Sequence, residues 1–355
     1  MTATVNATVP GATGPVDVVC LGESMVTFLP DRDGRLADVS SFVRAIGGAE
    51  SNVACALAAA GHRARWVGRI GADGFGEHLV SAISAYGVDT SAVARDPGRP
   101  TGIYFRTAAD RAAEGHEVLY YRAGSAASAM SPATVARADL WAGRVLHVSG
   151  ITAALSGECL ALMRELTARR PGRPLLSFDV NHRPGLWRAT GGGHGHGDGP
   201  GVLLELARGA DLVFVGEDEA AEAWGLTGAD AIRAALPEPA VLVVKRGAAG
   251  AVAYTAGEAA GVPVPAPAVD VVAAVGAGDA FAAGFLSGTL RGLPLRERLR
   301  LGHLFAAAAL TVPGDLGAPP AGLLADRLTA LDDDAWGRLH LGPGWTGQDQ
   351  EVRTP

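Results

Sequence analysis

Six short apolar runs recur along the chain, at residues 16–22, 64–70, 144–148, 175–180, 211–215 and 240–244. Helical patterning falls between and after them, at 51–60, 75–86, 157–169, 217–224, 277–290 and 295–310. A strand apolar on both sides must be covered on both sides, and intervening helices carry consecutive strands into parallel pairing. The pattern predicts an α/β fold with a central, mostly parallel sheet flanked by helices. With 48% hydrophobic and 19% charged residues, the 355-residue chain has the apolar material for such a core, which excludes disorder as its main state.

Two stretches depart from this rhythm. Residues 101–107 and 116–122 alternate apolar and polar side chains across a polar connector, 108–115, with no helix between them. Period-two alternation suits a half-exposed hairpin, and residues 27–46 can add strands to it. The expectation is a small β-sheet lid, drawn from about 27–46 and 99–123, inserted in an α/β body spanning 15–336. Residues 1–14 read as a flexible tail, 337–355 as a loosely attached one, and the glycine-rich 191–201 as a surface loop. His194 and His196 in that loop lack neighbours to complete a metal-ligand set.

Charge and cysteine usage remove several classes of function. The net charge is −7 and the 30 basic residues form no run, which argues against a nucleic-acid partner. No uncharged apolar stretch reaches the roughly 18 residues of a membrane helix, and residues 1–15 lack the pattern of a secretory signal. Cys20, Cys55 and Cys159 stand singly in apolar surroundings, so neither a zinc site nor a disulfide framework is indicated. A cytoplasmic protein is expected. The sole lysine, Lys245, lies between Val244 and Arg246, which excludes a Walker A loop.

Two segments carry chemistry. At 269–288 an apolar run enters Gly276-Ala277-Gly278 and continues directly as a helix. Small residues let backbone N–H groups converge, and the helix terminus adds partial positive charge, which together favour phosphate oxygens. Asp279 at this mouth suits proton abstraction from an attacking hydroxyl; taken alone, it fits a helix cap as well. At 46–61, Gly47-Gly48 permit close approach of a ligand and Asn52 begins an alanine-rich helix, although a plain tight turn reads the same way.

In this order and spacing, the two segments resemble the two signatures of the ribokinase-like (PfkB) carbohydrate kinases, over nearly the whole chain from about 16 to 331. LGES at 21–24, YYRAGSAAS at 120–128, VSGITAALS at 148–156, FDVNHRPGLW at 178–187 and VPGDLGAPP at 312–320 look similar to one branch, the 2-keto-3-deoxygluconate kinases. The resemblance implies ATP- and Mg²⁺-dependent phosphoryl transfer to a sugar hydroxyl, with Asp279 as base and Gly276, Ala277 and Gly278 holding the developing charge. It places Gly47, Gly48, Asn52, Tyr104 and Arg106 toward the sugar acid, whose carboxylate suits a guanidinium, and Arg183 toward the sugar or the transferred phosphate. Lys245, Gly247 and Gly250 fall on its nucleotide side, and Glu219 near Mg²⁺ through water. It also allows a homodimer formed through the lid.

Two departures qualify the family picture. Ala273-Ala274-Val275 stand where the family commonly has Asp-Thr-Thr, which argues against K⁺ activation. Gly216 replaces the Asn of an Asn-x-x-Glu element that ends here in Glu219. A neutral-sugar kinase of the fructose or ribose type, and a non-catalytic sugar binder, stay open as alternatives.

Overall fold

Successive residues of each apolar run serve opposite sides of one sheet. Val18 and Cys20 enter one core while Val19 and Leu21 enter the other, and all four are fully buried. The computed structural model describes residues 16–32, 34–107, 117–190, 199–258 and 260–347. Its first strands are β1 (Val18–Leu21), β2 (Met25–Pro30), β3 (Phe42–Gly47), β4 (Ala64–Val67), β5 (Arg69–Gly71), β6 (Ala94–Asp96), β7 (Ile103–Arg106) and β8 (Val118–Tyr121). They are followed by β9 (Val145–Ser149), β10 (Leu175–Asp179), β11 (Leu212–Gly216), β12 (Val241–Lys245), β13 (Ala251–Thr255), β14 (Val262–Val264), β15 (Ala268–Val269) and β16 (His340–Leu341).

The main sheet has the order β14-β13-β12-β11-β10-β9-β1-β4. Its pairs are parallel from β12 to β4, and β13 and β14 join antiparallel at one edge. One face is covered by the helices Ala49–Ala59, Gly74–Ala85, Ala277–Leu290 and Leu295–Leu310, the other by Gly157–Thr167, Gly199–Gly209 and Glu217–Trp224. This is the two-sided cover that strands apolar on both faces require. A second sheet, β3-β2-β7-β8, stands apart and holds the hairpin strands antiparallel, Ile103 opposite Tyr121. Alternation puts Thr27, Tyr104, Arg106 and Tyr120 on one of its sides and Phe28, Phe105 and Tyr121 on the other.

Three expectations need correction. The run at 64–70 is two strands, because Gly68 sits beneath the Trp66 ring and the chain then turns away as β5 to pair with β6. Residues 199–201 begin a helix instead of ending a loop, because Val202, Leu203 and Leu206 bury one of its faces. The segment from 337 is not loose over 337–347: Leu339, Leu341 and Trp345 are buried, and β16 pairs in parallel with β15. The rest of that tail (348–355), residues 1–15, the connector 108–115 and residues 191–198 lie outside the described residues.

Candidate active site

The parallel strands end together at one edge, and their C-terminal ends carry the polar side chains. Register places Asp179 at the end of β10 beside Phe214 of β11, and Gly216 at the end of β11 beside Lys245 of β12. Such an edge is where open α/β sheets bind ligands, since loops and helix N-termini converge there. Lys245 donates to both carboxylate oxygens of Asp179, at 3.2 and 2.9 Å. Burial pulls the Lys245 ammonium down, but Asp179, Glu219 and Asp279 outweigh it and hold the group charged. It is therefore no solvated strand-end lysine.

Across from it the helix Ala277–Leu290 begins. Gly276 takes φ +79°, a left-handed conformation that favours glycine, and a Cβ there would stand 2.2 Å from the Asp315 carbonyl oxygen. Gly278 lies under Lys245, since a Cβ on it would be 3.6 Å from Nζ. The Gly276–Gly278 amides, the helix terminus and one ammonium thus face a common space, a strong arrangement for a polyanion.

Asp279 sits half-buried in the first turn of this helix. Asn52 Nδ2 donates to its Oδ2 at 2.9 Å from the first turn of Ala49–Ala59. Burial is the main influence on the carboxyl and pushes it up to about 7, with Asp179 adding to the rise. Asn52, Arg183 and Lys245 oppose that rise. A carboxyl poised near neutrality beside a fixed anion site has the protonation range of a general base.

Arg183 and Glu219 belong to the same neighbourhood. Arg183 Nη1 is 3.8 Å from Glu219 Oε1, and Glu219 Oε2 accepts the Gly216 N–H at 2.9 Å. The carboxylate of Glu219 thus closes its own helix start, where Gly216 supplies no side chain. Gly247 and Gly250 lie beyond Lys245 in the turn joining β12 to β13, where Arg246 N–H donates to the Gly250 carbonyl at 2.8 Å.

The small sheet supplies a second group. Tyr104 and Arg106, neighbours on one side of β7, are both buried. Arg106 Nη2 donates to Asp315 Oδ1 at 2.7 Å, and both side chains are under 10% exposed. Gly47, at the end of β3, has room only for hydrogen: a Cβ would meet Tyr104 Oη at 2.2 Å and Asp315 Oδ2 at 3.2 Å. Gly48 follows as the helix cap, its carbonyl accepting the Asn52 N–H at 2.8 Å. Burial, with the Asp315 charge, keeps the Tyr104 phenol protonated.

Asp315 is the residue that the sequence reading missed. Its carboxylate holds Arg106 while its backbone presses on Gly276, so it joins the small sheet to the glycine-rich helix start. The arginine expected to be a free clamp is already ion-paired. Its Nε is buried with no hydrogen-bond partner among the described residues.

A mostly parallel sheet, a separate small sheet facing its C-terminal edge, and a half-buried acid at a glycine-rich helix start define a ribokinase-like sugar kinase. Residues 16–321 match the pfkB family of carbohydrate kinases, and the chain belongs to it. It is 36% identical over 328 residues to a 2-dehydro-3-deoxygluconokinase of Bacillus subtilis, covering 89% of this chain and 96% of that one. It is 30% identical over 310 residues to a probable chloroplastic fructokinase of Arabidopsis thaliana, covering 83% and 77%. Among solved structures, an uncharacterized sugar kinase from Pyrococcus horikoshii in complex with ATP matches with a TM-score of 0.75 and 25% identity. That match covers 89% of this chain and 98% of the other.

Proposed function

We propose that the protein transfers the γ-phosphoryl group of ATP to the terminal hydroxyl of a keto-deoxy sugar acid, 2-keto-3-deoxygluconate, giving its 6-phosphate. The observation that supports the sugar-acid reading is Arg106, buried on the Tyr104 side of the small sheet with no partner for its Nε among the described residues. A carboxylate gives that donor a charged partner, and a neutral sugar does not. Likeness to the B. subtilis enzyme points the same way. A kinase screen over keto-deoxy acids and neutral sugars tests it, and exclusive turnover of fructose or ribose would replace the assignment.

In this reading Gly47, Gly48, Asn52 and Tyr104 line the sugar, and Asp279 takes the proton of the attacking hydroxyl. The Gly276, Ala277 and Gly278 amides and Lys245 meet the charge that spreads over the transferred phosphoryl oxygens. Arg183 lies close enough to Asp279 to bear on its charge, and so serves the same oxygens. Gly247 and Gly250 shape the turn on the nucleotide side. Among the described residues no three acidic, histidine or cysteine side chains form a metal cage. That fits Mg²⁺, which binds through phosphates, water and one or two carboxylates, here Glu219 through water. When bound, Mg²⁺ neutralises phosphate charge.

Protonation of Asp279 sets the acid side of the pH profile. The base works ionised, so kcat/KM should rise with pH through an inflection at about 7 and level above it. A profile flat from pH 5.5 to 8 would remove Asp279 from the proton-transfer step.

Cation dependence follows from the loop before Gly276. Ala273 and Ala274 offer no side-chain oxygens, so activity should depend strongly on Mg²⁺ and weakly on K⁺. Replacing a bulky organic cation by K⁺ should change kcat by less than about tenfold, or ~1.4 kcal/mol. A larger rise would mean that backbone carbonyls suffice to build a K⁺ site.

The setting we propose is cytoplasmic. Cys20, Cys55 and Cys159 are free and buried, and no helix among the described residues is long and apolar enough to cross a membrane. The outer side of the small sheet stacks Phe28 on Phe105 and exposes Leu119 and Tyr121, a surface through which a second copy would pair.

A further inference from the structure

We propose that Glu50 is a positioning residue for proton abstraction, acting through Asn52 on Asp279. The inference rests on Asp279 being the base. Glu50 lies in the first turn of Ala49–Ala59 and is wholly buried. Its Oε1 accepts three hydrogen bonds: from Ser149 N–H at 3.1 Å, Ser149 Oγ at 2.7 Å and Thr152 Oγ1 at 3.1 Å. Oε2 has no hydrogen-bond partner among the described residues. Ser149 ends β9 and caps the short helix Gly150–Ala153. On the other side lies Gly22, just after β1, where a Cβ would stand 2.1 Å from Glu50 Cδ. The carboxyl group is therefore seated between the ends of two neighbouring strands of the main sheet.

A buried acid with only neutral donors around it is an expensive way to fill space, since an apolar side chain would avoid desolvating a polar group. What it supplies is direction. Three donors converging on one oxygen fix the rotation and height of the first helical turn relative to the sheet edge. Burial pushes the acid up, which favours its neutral form and spares the core a bare charge.

Asn52 leaves the same turn two residues later, some 200° around the helix axis, and its amide holds the Asp279 carboxylate. That bond favours the ionised base. The other groups bearing on Asp279 are Asp179, Arg183 and Lys245, and they stand on the strand ends or the loop after β10, elements to which Glu50 makes no hydrogen bond among the described residues. Releasing Glu50 should therefore weaken the Asn52 contribution and leave the rest in place. The base would then ionise at higher pH and be misaligned when it does.

The test uses the full chain with Glu50→Ala, Glu50→Gln and Thr152→Val, reading kcat, both KM values, the pH profile and the melting temperature. For Glu50→Ala, kcat should fall about tenfold or more, while KM for ATP stays within about twofold. Its acid inflection should move up by roughly half a unit or more. Thr152→Val, which removes one donor from the far end and keeps the side-chain shape, should shift the inflection the same way by less. Glu50→Gln retains an oxygen acceptor for the three donors and should recover kcat to within about threefold of wild type. A lower melting temperature with unchanged kcat and inflection in Glu50→Ala, or in Thr152→Val if the former does not fold, would overturn the proposal. A Glu50→Gln variant as impaired as Glu50→Ala would also overturn it. If wild type phosphorylates sugar and Asp279→Asn does not, the functional reading stands whatever Glu50 does.

Discussion

Asp279→Asn should lower kcat by about 10² to 10⁴ while leaving ATP affinity nearly unchanged, the scale on which a positioned base contributes. The carboxamide has the same shape and can still accept from Asn52, so the anion site and the helix start survive. What is lost is the group proposed to take the proton. The same change should raise the melting temperature at pH 8. Burial lifts the Asp279 carboxyl from its ordinary value near 3.8 to about 7, so the folded state resists ionising it. Stability from this group is fully present below the unfolded pKa and is lost as pH rises through about 7. An asparagine never ionises, so the variant should gain on wild type progressively from the ordinary value near 3.8 up to about 7 and hold the full gain above it. Turnover equal to wild type would reduce Asp279 to a helix cap.

Arg106→Ala should cost kcat/KM for the sugar acid about 30- to 1,000-fold, or ~2–4 kcal/mol, the scale for losing one partner of a buried charge pair. Any neutral sugar accepted weakly should suffer far less. The pairing with Asp315 complicates a single measurement, because removing Arg106 takes the ion-pair partner from a buried carboxylate and can cost stability of about 3–5 kcal/mol. The ratio between the two substrate classes cancels that common loss. An unchanged ratio would leave Arg106 as a brace between the small sheet and the helix start, with a neutral sugar the better assignment. Arg106→Lys keeps the charge and loses the planar fork, so it should fall between wild type and alanine.

Most of the architecture could be read from local pattern, because strands buried on both faces and helices with one apolar side each leave a periodic trace. The helices at 217–224, 277–290 and 295–310 start and stop where that trace does. β13 and β14 left too little of it, being short strands added antiparallel at an edge. In the candidate site, Gly276, Gly278 and Asp279 could be singled out from the sequence since one short segment holds all three at a helix start. Asp315 could not: it is a lone acid in a proline- and glycine-rich loop, and its partner Arg106 is 209 residues away. The bond from Lys245 to Asp179 was equally hidden, because parallel register, not sequence distance, aligns the ends of β10, β11 and β12. Glu50 looks like any first-turn acid until the sheet edge beneath it is seen.

The parallel pairing of β15 with β16 bears on how the molecule matures. The strand that leads into the Gly276 loop finds its only β-partner among the described residues at 340–341, well after the helix Ala277–Leu290 in chain order. During vectorial synthesis the main sheet can assemble from residues 18–264 while that strand still waits for its neighbour. Leu339, Leu341 and Trp345 then close the apolar layer over it. A ribosome-bound intermediate would therefore hold folded strands of the main sheet while the strand before the Gly276 loop still lacks its partner, so that part of the fold closes late in translation.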